Sequence, residues 1–199
     1  GPDRLGIDIS LTGDLVLKDN SVIAAQAGTG RPTGDVNIEA EGSIRLEQGS
    51  GIQTSLFGGT LPPLLPTGAV NVRAGDTVLL ESGSFIATAT QGEAGDIILT
   101  APRIKVDGSD NPTFIATGTL ALSPNDAGNI TIDASESLEI IGNRPDSTLL
   151  SDPLSLTIDE LLIQGQNSAV VTATATGTGR AGQIAINTQT LTLRERAAI

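Results

Sequence analysis

Residues Gly128–Asn143 read GNITIDASESLEIIGN. One residue separates Ile130 from Ile132, and one separates Leu138 from Ile140. Side chains two apart in an extended chain share a face, so each pair marks a short strand with one apolar side. The double pair occurs seven times, at intervals of about 30 residues. The first pairs are Ile7/Ile9, Val36/Ile38, Val70/Val72, Ile97/Leu99, Ile130/Ile132, Leu156/Ile158 and Ile184/Ile186. The second pairs are Leu15/Leu17, Ile44/Leu46, Val78/Leu80, Ile104/Val106, Leu138/Ile140, Leu161/Ile163 and Leu191/Leu193. A third apolar position follows each: Ile23, Ile52, Ile86, Ile115, Leu149, Val170 and Ile199. Repeats of this kind predict a solenoid with three short strands per repeat and a tight turn between the first two.

Helical readings fail on period. The apolar spacing is two, β-branched residues dominate, and Gly or Pro interrupts the pattern throughout. Ser155–Gln164, SLTIDELLIQ, is the one segment that would pass for a helix, yet its two pairs keep the register of the other repeats. Parallel strands need crossovers, which helices supply in ordinary sheets. Without helices, the chain itself must wind, each strand pairing with its equivalent one turn earlier. The expected fold is therefore an all-β, right-handed parallel β-helix (β-solenoid) of about seven coils, handedness following the general preference of crossovers. Seven coils at about 4.8 Å each make a rod of roughly 34 Å. A change such as Ile132→Asp should disrupt its own coil and weaken both neighbours.

Residues 1–5 read as a terminal segment, Gly1-Pro2 resembling a protease scar, and residues 6–199 as a single β-helix segment of something longer. Length variation falls mostly after the third strand, at one corner of the coil. Two long loops stand out. Phe57–Gly68, FGGTLPPLLPTG, is expected to fold over the rod and bury Leu61, Leu64 and Leu65, or else to offer an apolar contact patch. In Gly142–Pro153, GNRPDSTLLSDP, Ser147–Ser151 should be strand.

Composition narrows the function classes. The chain has 199 residues with three Phe and no Trp, Tyr, Met, Cys or His, so the core must be Ile, Val, Leu and Ala. The net charge of −12 disfavours nucleic acid and anionic membrane surfaces. Absence of Cys fits two situations, a cytosolic chain that simply lacks them or a chain exported unfolded through an oxidising periplasm, which gains from lacking them. No run approaches the roughly 18 apolar residues of a membrane helix. Ser–His and Cys chemistry is excluded by composition, and the glycines match no phosphate-binding loop.

Three further patterns carry possible chemistry. Thr-x-Thr occurs at Thr88/Thr90, Thr117/Thr119 and Thr172/Thr174/Thr176, at equivalent points after the third apolar position. An unbroken hydroxyl face of this kind would suit ice binding, but Ala25/Ala27, Thr54/Leu56 and Ser151/Pro153 break the array, and Thr is an ordinary exposed strand residue. Asp8, Asp35, Asp96, Asp107 and Asp110 lie at turns and would offer oxygens to Ca²⁺, but turn carboxylates usually serve local hydrogen bonds. Carboxylate pairs such as Glu39 with Glu41, or Asp133 with Glu136, would suit glycoside hydrolysis. Arg31, Arg45, Arg73, Arg103, Arg144 and Arg180 are scattered singly. No catalytic, cofactor-binding or metal-ligating residue is expected, and no cofactor.

The strings GNITIDASESLEIIGN, GDVNIEAEGSIRLEQGSGI (34–52) and TGTGRAGQIAINTQTLTL (176–193) resemble the repeats of filamentous haemagglutinin-type exoproteins, cyanobacterial ones especially. QGEAG (91–95), NDAG (125–128) and GRAG (179–182) match the Gly-x-Ala-Gly close of those repeats. The resemblance covers nearly the whole chain. It implies a right-handed parallel β-helix secreted by the two-partner route through an outer-membrane transporter. The family's Asn-Pro-Asn secretion motifs are absent; the nearest string is Asp110-Asn111-Pro112. The function so implied is structural and adhesive: a rigid rod on a Gram-negative cell surface, displaying a face to a glycan or protein receptor. End-to-end self-association is a further expectation, because Ile199 would be the third-column member of an uncapped coil. A pectin-lyase-like polysaccharide-active enzyme is the alternative, and a β-solenoid ice binder the third.

Overall fold

The computed structural model describes residues 6–27, 32–56, 65–90, 92–119, 124–142, 169–175 and 178–199. Every regular element among them is a strand. The first turn of chain holds β1 (Ile7–Leu11), β2 (Leu15–Leu17) and β3 (Val22–Ala27); the next holds β4 (Val36–Ala40), β5 (Ile44–Leu46) and β6 (Gly51–Leu56). β7 (Val70–Ala74), β8 (Thr77–Glu81) and β9 (Phe85–Thr90) follow. Then come β10 (Ile97–Asp107), β11 (Thr113–Thr119), β12 (Ile130–Ile141), β13 (Ala169–Ala175) and β14 (Ile184–Arg194).

Pairing is parallel and connects equivalent positions one repeat apart. The first pairs stack as Ile7, Val36, Val70, Ile97, Ile130 and Ile184. The second stack as Leu15, Ile44, Val78, Ile104, Leu138 and Leu191. Both columns lie in one sheet. The third column, Ile23, Ile52, Ile86, Ile115 and Val171, forms a second sheet. The architecture is all-β and parallel, and it fits a β-solenoid.

Three particulars differ from the sequence reading. In β10, β12 and β14 the first and second pairs lie on one continuous strand, with register shifts at Ala101/Arg103 and Ala134/Ser137 in place of a tight turn. A bulge bends a strand without ending it. Secondly, Ile130 and Ile132 pair directly with Ile184 and Ile186, while the other edge of β12 is taken by β10. Leu156/Ile158 lie outside the described residues, as do Leu161/Ile163, Leu149, Ser147–Ser151, Ser155–Gln164, Leu61 and Leu64. Thirdly, Val171 rather than Val170 faces Ile115 across the strands.

The core is a set of aliphatic ladders. Val36, Ile44, Leu46, Ile52, Ile86, Leu99, Ile104, Ile132 and Leu138 are among its buried members. The tube leaves no room for rings, and the described phenylalanines stand outside it. Phe85 and Phe114 stack at 5.5 Å between centroids, with Gly51 vacating the space that the Phe85 ring occupies.

Two corners hold the turns in register. Before each first strand, Gly34, Gly68, Gly95, Gly128 and Gly182 stack so closely that a Cβ on any of the last four would collide with the carbonyl of the glycine before it. Inside that corner Thr54, Thr88 and Thr117 donate to the carbonyls of Gly68 (2.7 Å), Gly95 (2.6 Å) and Gly128 (2.7 Å). Between second and third strands the chain takes two successive left-handed residues, as in Gln48-Gly49 and Ser82-Gly83.

Candidate functional site

Alternate residues of the first-strand column face outward in two rows. One row begins Asp8, Asn37, Asn71 and knits itself together. The Asn37 amide donates to Asp8 (2.7 Å) and the Asn71 amide to Asn37 (2.8 Å). The next residue in that row, Ile98, is 41% exposed. The other row runs Ser10, Glu39, Arg73, Thr100, Asp133, Asn187. Arg73 Nε lies 3.6 Å from Glu39 Oε1.

Beyond Arg73 this second row forms one wall of a groove of about 770 Å³. Ala74, Ala101 and Ala134, all buried, supply its floor, and Ser135 and Gln189 stand on its far side. The groove exists because the column beneath it is alanine and because β10 and β12 bend at their register shifts. It adjoins a smaller hollow of about 330 Å³ along Asn37, Glu39 and Asn71, sharing Arg73 and Thr100 with it. Among the described residues, the side chains of Thr100, Asp133, Ser135, Asn187 and Gln189 make no hydrogen bond or ion pair.

On the outward face of the second-strand column the charged side chains are instead paired. Arg45 meets Glu47 (2.9 Å), Lys105 meets Asp107 (2.9 Å), and Arg194 meets Glu139. At the edge of the groove Arg103 bridges Glu136 (2.9 Å) and Asp76. The hydrogen bond to Glu136, with the charge of Asp76, raises the Arg103 pKa above its ordinary value. Burial pushes the Asp107 carboxyl up, but hydrogen bonds from Ser109 and Lys105 outweigh it and hold the group below its usual value.

The turn carboxylates serve the backbone. Asp35 accepts from Ala69 N–H (2.9 Å), and Asp96 accepts from Asn129 N–H (2.6 Å). Asp8 is taken by Asn37 and Asp107 by Ser109 N–H (3.0 Å), while Asp110 lies in an exposed turn. Among the described residues no group of three or more acidic side chains is placed to hold a metal ion. The carboxylate pairs weighed for glycoside chemistry are not brought together on the groove: Glu39 turns to Arg73 and Glu136 to Arg103, leaving Asp133 on the wall.

The threonines correct the sequence reading most sharply. Thr88, Thr90, Thr117 and Thr119 are buried and point into the coil, so they form no outward hydroxyl array. Nor do the copies align: Thr172 and Thr174 register with Ala116 and Gly118, one position out of step. Thr176 lies outside the described residues.

Sequence reasoning passed over Thr100, Asn187 and Gln189. The signal was present: the residue after the second member of each first pair is the outward one, and read down the repeats it gives Ser10, Glu39, Arg73, Thr100, Asp133 and Asn187. Compared with known proteins, the chain matches no family model, no curated protein and no solved structure.

Proposed function

We propose that this chain is a rigid structural and adhesive segment of a secreted, cell-surface exoprotein of the filamentous haemagglutinin-like kind, and not an enzyme. The observation that carries the reading is the parallel pairing of equivalent positions from one turn to the next. Ladders that repeat with every turn give a stiff rod with a long, regular surface, and lateral stacking resists bending because each interior strand is held on both edges. The winding we infer is right-handed, one turn for each first-strand position. Delivery would be by an outer-membrane two-partner transporter of a Gram-negative cell, to a surface glycan or protein receptor. The absence of cysteine and the net charge of −12 suit an exported, soluble rod.

The test is location and shape. Antibody raised against the chain should label intact cells of the native organism, and labelling should vanish when the partner transporter is deleted. Strict retention in the cytosol would overturn the reading. Small-angle scattering of the isolated chain should give a rod-like profile.

A further inference from the structure

We propose that the groove walled by Arg73, Thr100, Asp133 and Asn187 binds an uncharged linear polysaccharide lying along the long axis of the column. The proposal rests on the adhesive reading above and names the chemistry of its ligand.

The first ground is a contrast between neighbouring rows. Asp8, Asn37 and Asn71 use their polar groups on one another, and the carboxylates of the second-strand face are held by Arg or Lys. In the row beside them, Thr100, Asp133 and Asn187 stand at adjacent register positions and leave their polar groups unengaged. Strand spacing puts such neighbours about 4.8 Å apart, well within reach of mutual bonding for these side chains. A row that is able to pair and does not keeps its donors and acceptors available to something else.

The second ground is what those groups are. Thr, Ser, Asn and Gln side chains both donate and accept, and the Asp carboxylate accepts only. That mixture complements hydroxyl groups, which also do both. The single carboxylate of the groove, Asp133, is too few for a cation that needs six or more oxygens. The single guanidinium, Arg73, is already beside Glu39, and a chain of net charge −12 repels a polyanion.

The third ground is shape. The wall presents one polar residue per turn along the column, so an extended polymer lying along it meets a hydrogen-bonding group at each step. Each step contributes little, so affinity grows with ligand length.

The test uses the whole 199-residue chain. It is titrated with cellohexaose, mannohexaose and xylohexaose, and with a heparin hexasaccharide as the anionic control, by calorimetry or NMR shift mapping. At least one neutral hexaose should bind, with shifts centred on Thr100, Asp133 and Asn187. Asp133→Ala and Asn187→Ala should each weaken binding about tenfold, while Lys105→Ala, on the second-strand face, leaves it unchanged. A tenfold rise in salt should not matter, since screening acts on charge. Asp133→Asn and thermal melts of every variant separate a lost contact from a lost fold. Failure of all three neutral hexaoses to bind, binding untouched by both groove variants, or binding of heparin alone overturns the proposal. Surface labelling without glycan binding sinks the groove and leaves the adhesive reading standing. Glycan binding by a protein confined to the cytosol does the reverse.

Discussion

At the scale of single residues, the glycine corner is where the chain has least latitude. Gly95 sits directly over the Gly68 carbonyl, so a Cβ there collides with backbone that cannot swing away. Gly95→Ala is expected to cost about 1–3 kcal/mol, as overpacking does. Gly13, in the turn between β1 and β2, faces open space, and Gly13→Ala should change stability by no more than about 0.5 kcal/mol. Urea titration of the two variants side by side checks both, and equal losses would show that the stacked corner is not special. Asp107 makes a second residue-scale prediction. Its carboxyl is held below its ordinary value of 3.8, so the unfolded chain takes up the proton first as the solution is acidified. Its contribution is therefore full at neutral pH, begins to fade as pH falls toward 3.8, and is gone below the depressed native value. Asp107→Asn should flatten that part of a melting-temperature profile against pH and leave the profile near pH 7 parallel to that of the parent.

At the scale of the strand, neighbours matter more than propensity. Ile132 is wholly buried between Leu99 and Ile186 in its column. Ile132→Ala should cost about 2–5 kcal/mol. In a linear stack the damage is local, so amide exchange in β10, β12 and β14 should rise while β4 and β5 stay protected. A uniform rise across all strands would mean that the rod unfolds as one unit. The same neighbour logic explains the threonines. Alternation already put Thr117 on the face of Ile115, two residues earlier. What the repeat did not reveal is that an inward hydroxyl would be tolerated. That depends on a carbonyl, Gly128 O, which the coil brings to it from the next corner.

At the scale of the molecule, one connection, that between β12 and β13, is far longer in sequence than its equivalents in earlier turns. In earlier turns residues 47–50 and 108–112 suffice to link second strand to third; here residues 142–168 do so. Because β12 pairs with β14 on one edge and β10 on the other, its partners do not include that connection. Replacing residues 143–168 by a link as short as 108–112 should therefore leave exchange protection of β12 intact and shift stability by only about 1 kcal/mol, the scale of loop-closure entropy. Collapse of that protection would show that the column depends on the excised residues.

The two-residue alternation of Ile, Val and Leu determined on its own that this protein is β-stranded, parallel and stacked, because apolar side chains at that spacing have only one face to bury and only their own copies to bury it against. It also marked which residues point outward, Asp133 and Asn187 among them. Tertiary structure alone decided which copies are neighbours. Ile132 meets Ile186 although another apolar pair stands between them in the chain, since pairing is settled by which strand edges meet in space and not by order of repeat. It likewise decided which outward groups are spent on one another and which are left over. Asn37 and Asn71 close a hydrogen bond, while Asp133 and Asn187 leave theirs open beside an alanine-floored groove. That difference rests on distances and orientations across strands, which no pattern along one strand records.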